Sequence, residues 1–261
     1  MPPAKNRKRR ATVVALANQK GGVAKTTSVA SLGVAFAELG RRVLLVDLDP
    51  QACLTFSLGI DPDRVQQSIH EVLLGQAHIG EAILPAGGGV DLVPSTIDLA
   101  GAEAQLLARP AREYILQGVL EQALGDYDVV LLDCSPSLGV LTLNALTAAD
   151  GVIIPMPAEM LGHRGVGQLL DTVHDVRRIL NKKLTVLGIL PTMYDGRSNH
   201  AREVLADVGE RYDVPVLAPP IPRTVRFAEA PAVGRSILST ARRSRGAEAY
   251  REVARSLLPR I

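Results

Sequence analysis

Residues Ala17 to Thr27 read Ala-Asn-Gln-Lys-Gly-Gly-Val-Ala-Lys-Thr-Thr, between the apolar run Thr12 to Leu16 and a segment of helical spacing. Strand, glycine-containing loop, helix is the order in which backbone N–H groups at a helix N-terminus cradle phosphate oxygens. In such a loop Lys25 reaches the β- and γ-phosphates and the Thr26 hydroxyl ligates Mg²⁺. The common pattern G-x-x-x-x-G-K-[ST] is not met, because its glycine positions hold Gln19 and Ala24. Instead Gly21 and Gly22 stand together, with a second lysine, Lys20, ahead of them. A methyl group at Ala24 disfavours left-handed backbone angles, so the loop is expected to take a conformation that alanine tolerates.

Outward from the loop, Val29, Leu32, Phe36 and Leu39 share one helical face, and Gly40 stands where a helix ends. Arg42 to Asp47 then reads as a buried parallel strand running into Asp47-Leu-Asp-Pro-Gln51. Carboxylates at i and i+2 of a strand end face the same side. Alone they read as simple strand-end caps; beyond a phosphate loop, Asp47 and Asp49 can position water and Mg²⁺. A second apolar strand, Tyr127 to Asp133, also ends in a carboxylate, and Asp133 would hold Mg²⁺ opposite Thr26.

These motifs together resemble the ParA/MinD ATPases. Lys20-Gly-Gly-Val-Ala-Lys-Thr-Thr27 is similar to their deviant Walker A box, with Ala24 where the family has Gly, and Ala17 to Val23 looks most like the short chromosome-partitioning ParA proteins, the Soj type. The resemblance runs from about Ala11 to Leu258 and implies ATP and Mg²⁺ as cofactors. It assigns nucleotide contacts to Lys20, Gly21, Gly22, Val23, Ala24, Lys25, Thr26 and Thr27, and metal contacts to Thr26, Asp47 and Asp133. Asp49 would orient the attacking water beside Lys25, and Asp47 would also support the nucleotide-sensing loop. Lys20 would reach across an ATP-closed homodimer to the partner's phosphates. The family's Ile-Pro-Arg-Asn loop cups adenine, which points to Pro222, with Thr224 where Asn is usual.

The rest of the chain fits one large α/β domain over residues 11–261: a doubly wound, mostly parallel sheet flanked by helices. Further strands are read at Val90–Val93, Gly151–Pro155 and Leu184–Pro191, and helices on Val65, Ile69, Val72 and Leu73, on Ile115 to Leu120, on Val166 to Leu180 and on Val204 to Tyr212. Gly87 to Gly89 is a turn. Apolar content is 47 % with only 3 % aromatics, which suits a sheet covered by helices. The net charge is +2, but Lys5, Arg7, Lys8, Arg9 and Arg10 outweigh it, so the remainder is acidic on balance. Residues 1–10 read as a disordered basic tail, either a solubilising end or an auxiliary contact to DNA or lipid. Cys53 and Cys134 show neither metal spacing nor a disulfide framework, which fits a reducing cytoplasm.

Nine arginines from Arg223 to Arg260 crowd the last forty residues, and Arg251 and Arg255 share a helix face. Singly, each of that pair reads as a solvated helix position. As a set, the arginines match what phosphate backbones attract without sequence reading. Met193-Tyr-Asp-Gly-Arg197 and Ile221-Pro-Arg-Thr-Val-Arg226 resemble the Soj segments that bind DNA non-specifically, implying DNA contacts at Arg197, Arg223 and Arg226. The resemblance also implies a ParB-type centromere-binding partner that stimulates hydrolysis, and a cytoplasmic, nucleoid-associated location. Two other classes share the loop. A MinD-like membrane-positioning ATPase needs a terminal amphipathic helix with bulky apolar residues, whereas the end here lacks Phe and Trp and is broken by Pro259, so no membrane is expected. An iron–sulfur reductase needs suitably placed cysteines, and Cys53 and Cys134 do not match that placement.

Overall fold

The computed structural model describes residues 10–158 and 162–261, so the basic segment before Arg10 lies outside the described residues. The first half runs β1 (Thr12–Leu16), α1 (Lys25–Glu38), β2 (Val43–Leu48), α2 (Cys53–Ser57), α3 (Ile69–Leu74), α4 (Ile79–Ala82), β3 (Leu84–Ala86), β4 (Val90–Val93), α5 (Leu99–Leu107) and α6 (Ile115–Leu120). It continues with β5 (Val129–Cys134), α7 (Val140–Ala148), β6 (Gly151–Pro157), α8 (Gly162–Ile179), β7 (Thr185–Thr192) and α9 (Asn199–Tyr212). Three helices close the chain: α10 (Arg226–Ala232), α11 (Ile237–Thr240) and α12 (Arg245–Leu257).

The strands form one sheet in the order β3-β4-β2-β5-β1-β6-β7, parallel except where β3 pairs with β4. Residues 87–89 form the turn of that hairpin, and Pro85 on β3 blunts the edge because it offers no ladder N–H. Side chains alternate along each strand. Val13 and Ala15 of β1 enter a core layer closed by α3 to α9, whereas Val14 and Leu16 enter the layer closed by α1, α2 and α10 to α12. Each fully buried Val or Leu adds about 1.5–3 kcal/mol, so two such layers hold the sheet with little aromatic help. All five central parallel strands point one way, and their carboxyl ends open on a crevice beside β1, where a doubly wound sheet binds its ligand.

The expected helix on Val65 starts later than its apolar spacing implied. Val65 is extended at φ −71° and ψ 126°, and α3 begins at Ile69 under a capping box of Ser68 and Glu71. Gly40 takes φ 77° just after α1 and ends it as the sequence indicated. Helices α2, α4, α5 and α7 were not legible from apolar spacing.

Candidate nucleotide site

The loop after β1 is held by its own chain at several points. The Thr192 hydroxyl donates to the Val23 carbonyl at 3.1 Å, and the Ser28 N–H donates to the Ala24 carbonyl at 3.0 Å. The Lys25 ammonium, 7 % exposed, donates to the Lys20 carbonyl at 3.2 Å. Gly22 takes φ 70°, which glycine adopts freely. Ala24 takes φ 67° and ψ 33°, so the loop keeps the left-handed turn and the alanine bears it, against the expectation from its methyl group. That conformation costs about 1–2 kcal/mol for a residue with a Cβ, and the surrounding bonds hold it in place. Ala52, φ 51°, repeats the arrangement just after Asp-Pro-Gln51.

The two strand-end aspartates differ sharply. Asp47 and Asp133 are register partners on β2 and β5, and both are fully buried. Asp47 Oδ2 accepts from the Thr55 N–H at 2.9 Å and the Thr55 hydroxyl at 2.7 Å, while Oδ1 accepts from the Asp49 N–H at 3.1 Å. Burial still pushes its carboxyl up to about 6, against the lowering by Thr55 and Asp49 N–H groups. Neither oxygen of Asp133 has a hydrogen-bond partner of sound geometry. Burial, and then the charge of Asp47, raise it well above the usual carboxylate range, while the nearby Thr26 hydroxyl and Lys25 act the other way. Lys25 is itself lowered by burial, against the attraction of Asp133 and Asp49.

An orphaned buried carboxylate beside a threonine hydroxyl and a buried lysine fits a hydrated divalent cation and a phosphate chain. Thr26 and Asp133 would hold Mg²⁺ there, and Lys25 would neutralise phosphate. Asp47 is not so placed: its oxygens are taken up by α2 and the Asp49 backbone, so it organises the segment that presents Asp49. Asp49 is half-buried, and its Oδ1 accepts from the Gln51 N–H at 3.0 Å.

A cleft of about 480 Å³ opens from Gly22, Ala24 and Thr27 toward Met193, Pro222, Thr224 and Phe227. The structure therefore brings Pro222 and Thr224 to the phosphate loop, as the sequence implied. Sequence reading missed Phe227 and Tyr250, which also line this cleft and meet edge to face at 5.8 Å. It also missed Thr55 and Asn18, the second of which stands in the Ala-Asn-Gln-Lys run itself. A neighbouring cleft of about 500 Å³ is lined by Arg197, Arg223 and Arg245, and shares Pro222, Arg223 and Thr224 with the first. Arg226 stands at the start of α10 with its guanidinium on Glu229 at 2.8 Å, both groups more than half exposed. Arg251 is neither a solvated position nor part of a stripe. It is 15 % exposed and joins α12 to Glu38 of α1 at 2.6 Å and to Glu248 at 2.7 Å.

Crevice, loop and orphaned carboxylate define a phosphate-loop nucleotide-binding protein. A family model described as AAA domain matches residues 11–186. The chain is 43 % identical to the sporulation initiation inhibitor protein Soj of Bacillus subtilis, over 94 % of this chain and 97 % of that protein. It is 45 % identical to the chromosome-partitioning ATPase Soj of Thermus thermophilus, over 95 % of this chain and 96 % of that one. Among solved structures, cobyrinic acid a,c-diamide synthase from Mycobacterium smegmatis with bound ADP and magnesium superposes with a TM-score of 0.86 at 57 % identity, covering 95 % of this chain and 94 % of that chain. The chain belongs to the ParA/MinD family of ATPases, close to Soj, and its relatives mark it as a partitioning ATPase that uses ATP and Mg²⁺.

Proposed function

We propose that the protein is a nucleotide-gated DNA-partitioning switch. ATP with Mg²⁺ closes two subunits face to face, each Lys20 reaches the other subunit's phosphates, and the closed dimer holds DNA through Arg197, Arg223 and Arg226 without reading sequence. A ParB-type partner then stimulates a slow basal hydrolysis and releases the DNA. The reading places the protein on the nucleoid through DNA.

The observation that carries this reading is the shared wall. Pro222, Arg223 and Thr224 border both the nucleotide cleft and the arginine cleft, so a ligand in one bears on the side chains of the other. The segment is tied to the end of β7: the Tyr194 N–H donates to the Ile221 carbonyl at 2.9 Å, and the Arg223 N–H to the Tyr194 carbonyl at 3.1 Å. The exposed Arg226–Glu229 pair is worth at most about 1 kcal/mol, so phosphate can displace the glutamate.

The membrane-switch alternative is less well supported. Tyr250, Val253, Ala254 and Leu257 of α12 are buried in the core layer that also holds α1, so the helix has no free apolar face to offer a bilayer. No described helix is long and apolar enough to cross a membrane.

The deciding experiment is binding to a random-sequence duplex with no nucleotide, ADP, ATP or a non-hydrolysable ATP analogue, at two salt concentrations. Tight, salt-sensitive binding only with ATP or the analogue is expected, and Arg226→Glu should weaken it equally on unrelated sequences. Binding indifferent to nucleotide would overturn the switch. Flotation with anionic liposomes, expected to leave the protein at the bottom, tests the alternative.

A further inference from the structure

The Lys20 peptide is gripped from both sides. Asn18, 3 % exposed at the end of β1, uses both ends of its side-chain amide: Nδ2 donates to the Pro155 carbonyl of β6 at 2.8 Å, and Oδ1 accepts the Lys20 N–H at 3.0 Å. On its other side the Lys20 carbonyl accepts from Lys25 at 3.2 Å. The Lys20 side chain is exposed. Helix α8 closes over the arrangement, since a Cβ added at Gly165 would meet Asn18 Oδ1 at 3.1 Å and Lys20 Cβ at 4.0 Å.

Asparagine suits this position for a chemical reason. One short side chain must accept from the loop and donate to β6 at once, and an amide does both. Aspartate would keep the first bond and set a carboxylate against the Pro155 carbonyl; alanine would lose both. A lysine that acts at a distance has a long stem with many rotamers, and fixing its Cα removes part of the ordering cost of reaching its target.

We propose that Asn18 is the positioning residue for Lys20, holding the backbone from which that lysine reaches the phosphates of a second subunit. The inference rests on the cross-subunit role given to Lys20 above. It adds that the aim of the lysine is set by a bond to the neighbouring strand β6.

A double-mutant cycle tests it. Wild type, Asn18→Ala, Lys20→Ala and the double variant are compared for affinity to a fluorescent ATP analogue and for single-turnover hydrolysis at saturating ATP with random-sequence duplex. Asn18→Ala should leave affinity within about threefold and slow hydrolysis on the order of 10–100-fold. In the Lys20→Ala background it should slow hydrolysis no further, and Asn18→Asp should recover part of the rate. A further slowing in the double variant would overturn the proposal, because Asn18 would then act independently of Lys20. So would normal hydrolysis by Asn18→Ala beside a slow Lys20→Ala protein. Normal hydrolysis by Lys20→Ala itself would instead overturn the cross-subunit reading, and the role of Asn18 with it. If Asn18→Ala does not fold, the cycle runs on Asn18→Asp, with the same non-additivity expected.

Discussion

Strands β2 and β5 lie side by side and end in register on Asp47 and Asp133, yet the two buried carboxylates live in opposite conditions. The end of β2 is finished by the chain itself: Thr55 supplies a hydroxyl and an N–H, and Asp49 an N–H, so the aspartate is a bracket for the turn that follows. The end of β5 is left open, with both oxygens of Asp133 orphaned. Folding does not repay an orphaned buried carboxylate; a ligand does. The same residue type at the carboxyl end of the sheet is therefore tied into the architecture in one strand and left open to a ligand in the next.

The comparison breaks most visibly at Asp133. Asp133→Asn should slow Mg²⁺-dependent single-turnover hydrolysis on the order of 10³-fold, since the cation loses its protein anchor. It should also raise the apo melting temperature, because a buried carboxylate disfavoured by desolvation and by the charge of Asp47 gives way to a neutral amide. Asp47→Asn should show the reverse balance, a lower melting temperature and the smaller loss of rate.

Acidity offers a second test. The folded pKa of Asp47 is raised from 3.8 to about 6, and that of Asp133 is raised as well. The folded apo chain thus binds more protons than the unfolded chain above the ordinary carboxylate range, and its stability falls as pH climbs through about 6, where Asp47 ionises, with Asp133 adding a loss of the same sign. Urea midpoints of the apo protein between pH 4 and 7 would read a loss on the order of 2–3 kcal/mol. A rising midpoint would contradict the direction assigned to both groups.

A smaller effect, about 2 kcal/mol, is expected from Thr55→Ala, which strips the hydroxyl from Asp47 and also removes the acceptor of the Ser95 N–H. Urea denaturation at neutral pH reads it directly. The smallest effect lies in the loop between β1 and α1. Ala24→Gly relieves a left-handed alanine but frees the unfolded chain, a net gain of at most about 1 kcal/mol, visible as a small rise in melting temperature.

Much of this site was legible in the chain. Apolar runs ending at Leu16, Asp47 and Asp133 marked the central strands, and Lys25-Thr26 marked the cradle between them. The division of labour between Asp47 and Asp133 was not legible, because it depends on Thr55 turning back from α2, a five-residue helix whose capping residue is a left-handed alanine. The start of α3 was written in Ser68-Ile-His-Glu71, a capping-box pattern that apolar spacing overrode in favour of Val65. The role of Arg251 was hidden for another reason: its partner Glu38 is 213 residues away, and no local pattern reports such a pairing.

Distance along the chain also governs when the site can exist. The Ser28 hydroxyl, one turn into the helix that follows the phosphate loop, pairs with the Tyr250 hydroxyl of α12 at 2.9 Å across 222 residues. During synthesis the loop precedes α12 by more than two hundred residues, and its helix stays uncovered on that side until α12 has emerged and docked. Contacts of such span form late and slowly. Because Tyr250 also lines the nucleotide cleft, a chain cannot complete that cleft until α12 has been made and docked.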